Sequence, residues 1–569
     1  MATNHRKSVF VNPPSSVTEA MKLTTSDTPL SRRDFVSAAA TIAASAAIPG
    51  ERAAAQRPTA PREPQPLAIE ELSIADLSAS MKSGQYSAHA ITQQYLDRIV
   101  SLDHQGPSLH YVIETNPDAL AIADTLDAER KAGRLRGPLH GIPVLVKDNI
   151  DTADGMTTTA GSLALEGSRP TRDAHIVERL RAAGAIILGK TNLSEWANFR
   201  STHSSSGWSG RGGQARNPYA LDRTPSGSSS GSAGAAASSY CAVAVGTETD
   251  GSITSPAAAC SLVGLKPTIG LVSRSGIIPI AHTQDTAGPM ARTVSDAAIL
   301  LGVLVGADPR DVATARAPRT LPTDYVRFLD ASGLKGARIG VARKKYTGYS
   351  PAADAHFETA LGVMKERGAV IIDPADIVTA GQFDDAEFEV LLFEFKADLQ
   401  AYLATLPAGA RVRTMDDLIA FNRAHAREEM SYFGQEIFEM AAKKGPLTSP
   451  AYRKALAACG RLARVKGLDA TLSRHRLDAI VAPTQGAPAL IDLVNGDPSG
   501  ASSTSPSAVA GYPAITVPMG YTRGLPLGIT FMGRPWSEPV LLKLAFAYEQ
   551  ATKLRVPPRF LPSAAFDAG

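Results

Sequence analysis

The chain is expected to fold as one large α/β/α unit, with a mixed, mostly parallel central sheet covered by helices. Three observations predict this class. Seven short apolar runs bounded by Gly or Pro lie at 142–146, 185–188, 241–245, 339–342, 479–482, 515–517 and 528–532. Helical periodicity falls between them, as at 173–183, where Ile176, Leu180 and Ala183 share one face and Gly184 is a stop. The 569 residues, 44% hydrophobic and 20% charged, show no internal repeat and no long central linker. Length alone would allow two to four domains. Strand and helix signals that alternate instead imply one sheet with helices on both faces.

Taken in order, the chain begins with an address. Ser31-Arg32-Arg33-Asp34-Phe35-Val36 precedes a mild, alanine-rich apolar run ending at Ile48, the pattern of a twin-arginine export signal. Ala53-Ala54-Ala55 offers small residues for cleavage. Residues 1–55 are therefore expected to be removed on export to the periplasm, which argues against a role needing cytoplasmic tRNA or ATP. Residues 56–66 read as a Pro-rich linker, 67–556 as the main domain and 557–569 as a loosely packed tail. Within the domain, Ser73 is placed to cap a helix over 74–82 that Gly84 ends, and Ser87 to cap a second through Val100. Residues 350–475 are more helical and more charged, and are expected to form a side region or lid that governs selectivity.

Bulk properties exclude several function classes. The formal charge is +3, and removal of residues 1–55 leaves 52 basic against 51 acidic side chains, too balanced for nucleic-acid binding. No run approaches the roughly 18 apolar residues of a membrane span, so the mature chain should carry no membrane anchor. Cys241, Cys260 and Cys459 are odd in number, lack metal spacing and read as buried free thiols. A monomer is expected.

Two motif matches fail on context. Gly184-Ala185-Ile186-Ile187-Leu188-Gly189-Lys190-Thr191 fits the phosphate-loop pattern, but its middle residues are themselves a strand, whose N–H groups are committed to a sheet. Gly227-Ser228-Ser229-Ser230-Gly231 fits the nucleophile elbow, yet a loop precedes it where an apolar strand is needed. The histidines are scattered, and His140 beside a strand reads as a hydrogen-bonded structural residue, so a Ser-His-Asp hydrolase is disfavoured.

What remains is a constellation without histidine. PSGSSSGS (225–232) and GTETDGSITSPAA (246–258) are Gly/Ser-rich turns, and GIPVLVKDN (141–149) places Lys147 at the end of an apolar strand. A Gly/Ser run is commonly a linker. Here small residues continue into a helix at 232–239 and then a buried strand, which a linker has no reason to do. A lysine, a bridging serine and a nucleophilic serine make a complete proton relay, which points to acyl transfer on an amide.

These segments resemble the amidase signature family. So do VGLKPT (263–268), DTAGPM (285–290), GYPAITVP (511–518) and GRP (533–535), in the same order over nearly all of the mature chain. A narrower resemblance, to the bacterial peptide amidases, rests on NLSEWANF (192–199), GWS (207–209), GGQ (212–214) and LIAFN (418–422). Asp250 and Ser230 stand where the broad family commonly has glycine, and Thr254 where arginine is frequent, so substrate details of the wider family do not transfer.

The resemblance implies that Ser252 attacks the carbonyl, Ser228 bridges after a cis peptide bond, and Lys147 is the terminal base. It also implies an oxyanion hole from the backbone N–H groups of Thr249, Asp250, Gly251 and Ser252, and no metal or organic cofactor. Lysine ordinarily titrates near about 10.4, so Lys147 must be depressed by burial to act near neutrality. The expected reaction is hydrolysis of a peptide C-terminal carboxamide to free acid and ammonia. Alternatives are an amidase for aryl or small aliphatic amides and, outside catalysis, an inactive binding protein. Trp196 and Trp208 suit either the acyl pocket or the core. Glu394 and Lys396 read better as a solvated face than as substrate contacts.

Overall fold

The computed structural model describes residues 68–318, 320–407, 409–498 and 500–565. All of these belong to one compact unit, Pro66–Gly569. The expected export signal, 1–55, and the linker, 56–66, lie outside the described residues.

Thirteen strands are found among the described residues: β1 Val112–Thr115, β2 Pro143–Lys147, β3 Ile186–Thr191, β4 Trp208–Ser209, β5 Gly213–Gln214, β6 Val243–Glu248, β7 Val263–Lys266, β8 Thr286–Ala291, β9 Arg338–Val341, β10 Val370–Ile372, β11 Ala479–Pro483, β12 Ala514–Thr522 and β13 Leu525–Met532. β4 and β5 form a small hairpin, and the other eleven make one mixed sheet in the order β1-β3-β2-β6-β8-β7-β12-β13-β11-β9-β10. All seven apolar runs are strands of this sheet. Parallel pairing falls in two blocks, β3-β2-β6 and β11-β9-β10, with antiparallel strands joining them. The formal phosphate-loop match is β3, fully buried, with Lys190 Nζ spent on Ile150 O and Thr158 Oγ1, both at 2.7 Å.

Four strands of the eleven-stranded sheet lack a sequence signal. β7 and β8 contain Gly264, Gly288 and Pro289 in a central position, which breaks the usual strand pattern. β1 and β10 are three or four residues long and lie at the sheet edges.

Local chemistry sets the helices. Ser73 accepts the Asp76 N–H, Asp76 reaches back to the Ser73 N–H, and Gly84 closes Ile74–Ser83 at φ 74°. The helix Ser230–Ala237 has the sequence SGSAGAAA and is buried throughout. Small residues let it lie directly on its neighbours, since a Cβ on Gly234 would come within 2.2 Å of the Tyr111 ring.

The expected side region divides in two. Helix Pro351–Glu366 and β10 belong to the main sheet, with Phe357 and Met364 in its core cluster. Helices Asp384–Ala404, Met415–Ala424, Glu436–Ala442 and Pro450–Cys459 instead build two further apolar clusters, one with Trp196, Phe199 and Ile278 and the other with Ile377, Leu472 and Val509. The tail is also bound more closely than expected: Phe560 N–H donates to Pro218 O and Ala565 N–H to Arg523 O. The three cysteines are buried and free.

A buried ion cluster ties the helical region down. Arg200, Glu195 and Glu429 have fully buried side chains, and the Arg200 guanidinium sits 4.4 Å over the Phe433 ring. Glu429 Oε1 accepts Ser162 Oγ and Leu163 N–H, and Glu195 Oε2 accepts Gly210 N–H. Removing the cation would leave two buried carboxyls uncompensated. Arg200→Met is therefore expected to lower unfolding free energy by about 3–5 kcal/mol, measured by urea denaturation.

Candidate active site

β2, β3 and β6 run parallel, so their carboxyl ends meet at one edge of the sheet, the usual place for a ligand in such folds. Lys147 is the last residue of β2, opposite Thr191 at the end of β3. Antiparallel β8 begins at the same edge, with Thr286 opposite Glu248.

Lys147 is fully buried. Its Nζ lies 2.8 Å from Ser228 Oγ, 3.0 Å from Ser229 Oγ, 2.9 Å from Thr247 Oγ1 and 3.4 Å from Thr247 O. Burial brings its pKa down to about 7, against the opposing pull of Asp285 and Glu248. Asn149 Nδ2 also donates to Thr247 Oγ1, at 3.0 Å.

The Gly227–Ser228 peptide bond is cis. Ser194 N–H donates to Ser228 O at 3.0 Å, and Ser229 Oγ donates to Thr247 O and accepts Thr247 N–H. This turn meets the second Ser-rich segment through Ser229 N–H, which donates to Ser252 O at 3.1 Å. Ser228 is fully buried, whereas Ser252 retains 8% exposure.

The turn 249–252 is held from outside. Thr249 Oγ1 donates to Asp285 Oδ1 at 2.6 Å, Gly251 takes φ 78°, and Gly251 O accepts Ser255 N–H at 2.7 Å. Glu248 Oε2 accepts the Ile253 and Thr254 N–H groups, which anchors the helix Thr254–Ala259 directly after Ser252. Among the described residues, no protein acceptor takes the N–H of Asp250, Gly251 or Ser252. Such a row of free N–H groups suits an anion.

All six residues singled out from the sequence thus sit at one sheet edge. Sequence reasoning did not single out Thr247, Ser229, Asn149, Glu248, Gln284 or Asp285 as members of the site. Ser229 and Thr247 lie inside the two Ser-rich motifs, and that adjacency was the available signal. His140 is structural: Nδ1 accepts Arg136 N–H, so Nε2–H donates to Leu126 O at 2.9 Å. Trp196 packs edge-on to Phe438, and Trp208 lies against Phe433 and Tyr432, so both belong to packed aromatic clusters. Glu394 is fully buried rather than solvated, accepting from Thr283 and Tyr452, and Lys396 Nζ caps the Ala442 and Lys444 carbonyls.

A cavity of about 440 Å³ opens against Asn149, Thr247 and Thr249 and runs past Ile278 and His282 to Tyr402. His282, Glu394 and Asp398 form the described residues' one group of metal-ligand type, and protein partners already occupy each of them.

Comparison with known proteins agrees with this architecture. The Amidase family model matches residues 90–542. The crystal structure of native peptide amidase from Stenotrophomonas maltophilia is 52% identical, covers 87% of this chain and 99% of its own, and superposes with TM-score 0.83. A protein of Arabidopsis thaliana named "Probable amidase" is 44% identical over 87% of this chain and 92% of its own length. A "Putative amidase" of Arthroderma benhamiae is 39% identical over 84% of this chain and 81% of its own. The chain belongs to the amidase family and is an amide-hydrolysing enzyme.

Ser229→Ala deletes one acceptor for Lys147 and one partner each for the Thr247 N–H and carbonyl. It is expected to cost about 1–3 kcal/mol of stability in urea unfolding, because buried polar groups lose their partners.

Proposed function

We propose that the enzyme hydrolyses the C-terminal carboxamide of peptides through a Ser252–Ser228–Lys147 relay. The observation that carries the relay is the 2.8 Å contact of Lys147 Nζ with Ser228 Oγ, on a turn bonded to Ser252. A neutral amine has two N–H donors and one lone pair. With Ser229 Oγ and Thr247 Oγ1 taking the donors, the lone pair faces Ser228, whose O–H then donates to Nζ. Ser228 Oγ becomes free to accept the Ser252 proton as Ser252 attacks the carbonyl carbon. The relay returns that proton to the departing nitrogen, ammonia leaves, and water repeats the sequence on the acyl-enzyme to release the acid. The N–H groups at 249–252 receive the oxyanion, each worth about 2.7–4 kcal/mol when such a donor is removed from a serine hydrolase. The peptide substrate is favoured by 52% identity to a peptide amidase over 87% of this chain.

Ammonia release is the direct test. Dipeptide amides are expected to yield ammonia, while benzamide yields none, an anilide releases no aniline and the matching internal peptide bonds release no new amine, and Ser252→Ala abolishes ammonia release. Preference for benzamide or the anilide would retain the chemistry and overturn the substrate. A folded protein silent on every amide would overturn both.

Lys147 acts as a base only when neutral, and its pKa is about 7. Protonation below that value removes the base. The logarithm of kcat/KM should therefore climb with unit slope on the acid side and level off above about pH 7. A profile flat from pH 5 to 8 would remove Lys147 from that role.

A further inference from the structure

Among the buried carboxyls that the relay does not use, Glu387 reaches the turn 249–252. It stands in the first turn of helix Asp384–Ala404. Gln284 Nε2 donates to Glu387 Oε1 at 2.8 Å and reaches Thr249 O at 3.4 Å. Glu387 is also hydrogen-bonded to the Asp250 side chain, whose Oδ1 accepts Thr504 Oγ1 at 2.6 Å. Two carboxyls in hydrogen-bond contact need a proton between them. Burial raises both carboxyls, Glu387 well above the usual carboxylate range with the neighbouring Asp250 adding to the push, while hydrogen bonds from Ser505, Thr504 and Glu387 pull Asp250 back. The proton therefore belongs to Glu387, whose hydroxyl donates to Asp250 while Oε1 accepts from Gln284.

Thr249 O and Asp250 N–H are the two ends of one planar trans peptide unit, so fixing the carbonyl fixes the N–H in the opposite direction. Gln284 holds that carbonyl, and Asp285 holds the Thr249 hydroxyl. Asp250 stands where the wider family commonly has glycine, so this chain has a side chain on the turn to hold.

We propose that Glu387 is a positioning residue for the nucleophile turn, clamping Gln284 on the Thr249 carbonyl and Asp250 on Thr504, and so aiming the Asp250 N–H at the oxyanion. The proposal rests on the reading of Ser252 as nucleophile. An N–H aimed at charge that develops only in the transition state acts on kcat rather than KM.

The test measures kcat and KM on an N-acetylated dipeptide amide, with inhibition by the matching peptide aldehyde, whose adduct carries an oxyanion. Glu387→Ala is expected to lower kcat about 10- to 100-fold, leave KM within about twofold and weaken the aldehyde by the same factor as kcat. Glu387→Gln still offers an N–H to Asp250 and an oxygen to Gln284, and should stay within about threefold of the natural enzyme. Gln284→Met probes the clamp from its other end and should reproduce the kcat loss even where Glu387→Ala fails to fold. A folded Glu387→Ala or Gln284→Met with undiminished kcat and aldehyde affinity overturns the proposal, as does equal loss in Glu387→Gln and Glu387→Ala. Activity remaining in Ser252→Ala would instead overturn the reading of the turn itself.

Discussion

Lys147 ends β2 with its amine removed from water, and a bare charge at such a place costs several kcal/mol even after relaxation. That penalty brings the pKa to about 7 and makes a lysine available as a base. The same penalty dictates the surroundings. Each N–H and the lone pair of a neutral buried amine needs a partner, and Ser229, Thr247 and Ser228 stand at 2.8–3.0 Å to supply them. Removing any of these hydroxyls would therefore disturb both the fold and the proposed proton path.

Such a base can be buried because three parallel strands end together. β2 delivers Lys147, β3 delivers Thr191 beside it, and β6 delivers Thr247 and Glu248. The two Ser-rich turns close over this edge and are fastened to each other by Ser229 N–H on Ser252 O. Gly-rich and Ala-rich helices, Ser230–Ala237 and Thr254–Ala259, follow the two turns, and their small side chains allow close approach to the sheet. Precision at the site is thus a property of the packing behind it.

Legibility in the sequence followed side-chain chemistry. Runs rich in Val, Ile and Leu announced β2, β3, β6, β9, β11, β12 and β13, because those residues suit a strand buried on both faces. β7 and β8 went unread because Gly264, Gly288 and Pro289 are poor strand residues, and only their place in the middle of the sheet, between β6 and β12, holds them extended. Lys147, Ser228 and Ser252 were legible from their motifs, being close in sequence to glycines that shape turns. Glu387 and Glu394 were not, since a carboxylate in a charged helix looks solvated until tertiary packing covers it. The helix Asp384–Ala404 buries Val390, Leu392, Phe393 and Phe395 as well as both glutamates, so no polar face marks it. Local pattern does not contain that information.

The carboxyls around Lys147 pose the opposite problem. Asp285 and Glu248 both attract a proton to the amine, though neither is ion-paired with it; a full negative charge at about 4 Å would contribute on the order of 4 kcal/mol for an effective dielectric of 20. Attraction of that size would rival the desolvation that frees the base. Each acid is instead engaged elsewhere. Glu248 binds the Ile253 and Thr254 N–H groups and is balanced by the buried Lys266, while Asp285 accepts from Thr249, Ile280 and Ala281. Hydrogen bonds to backbone N–H groups and a second lysine spread their charge away from Lys147, so burial prevails and the amine loses its proton near neutrality. These carboxyls thus hold the turn 249–252 without capturing the proton that the proposed relay would move.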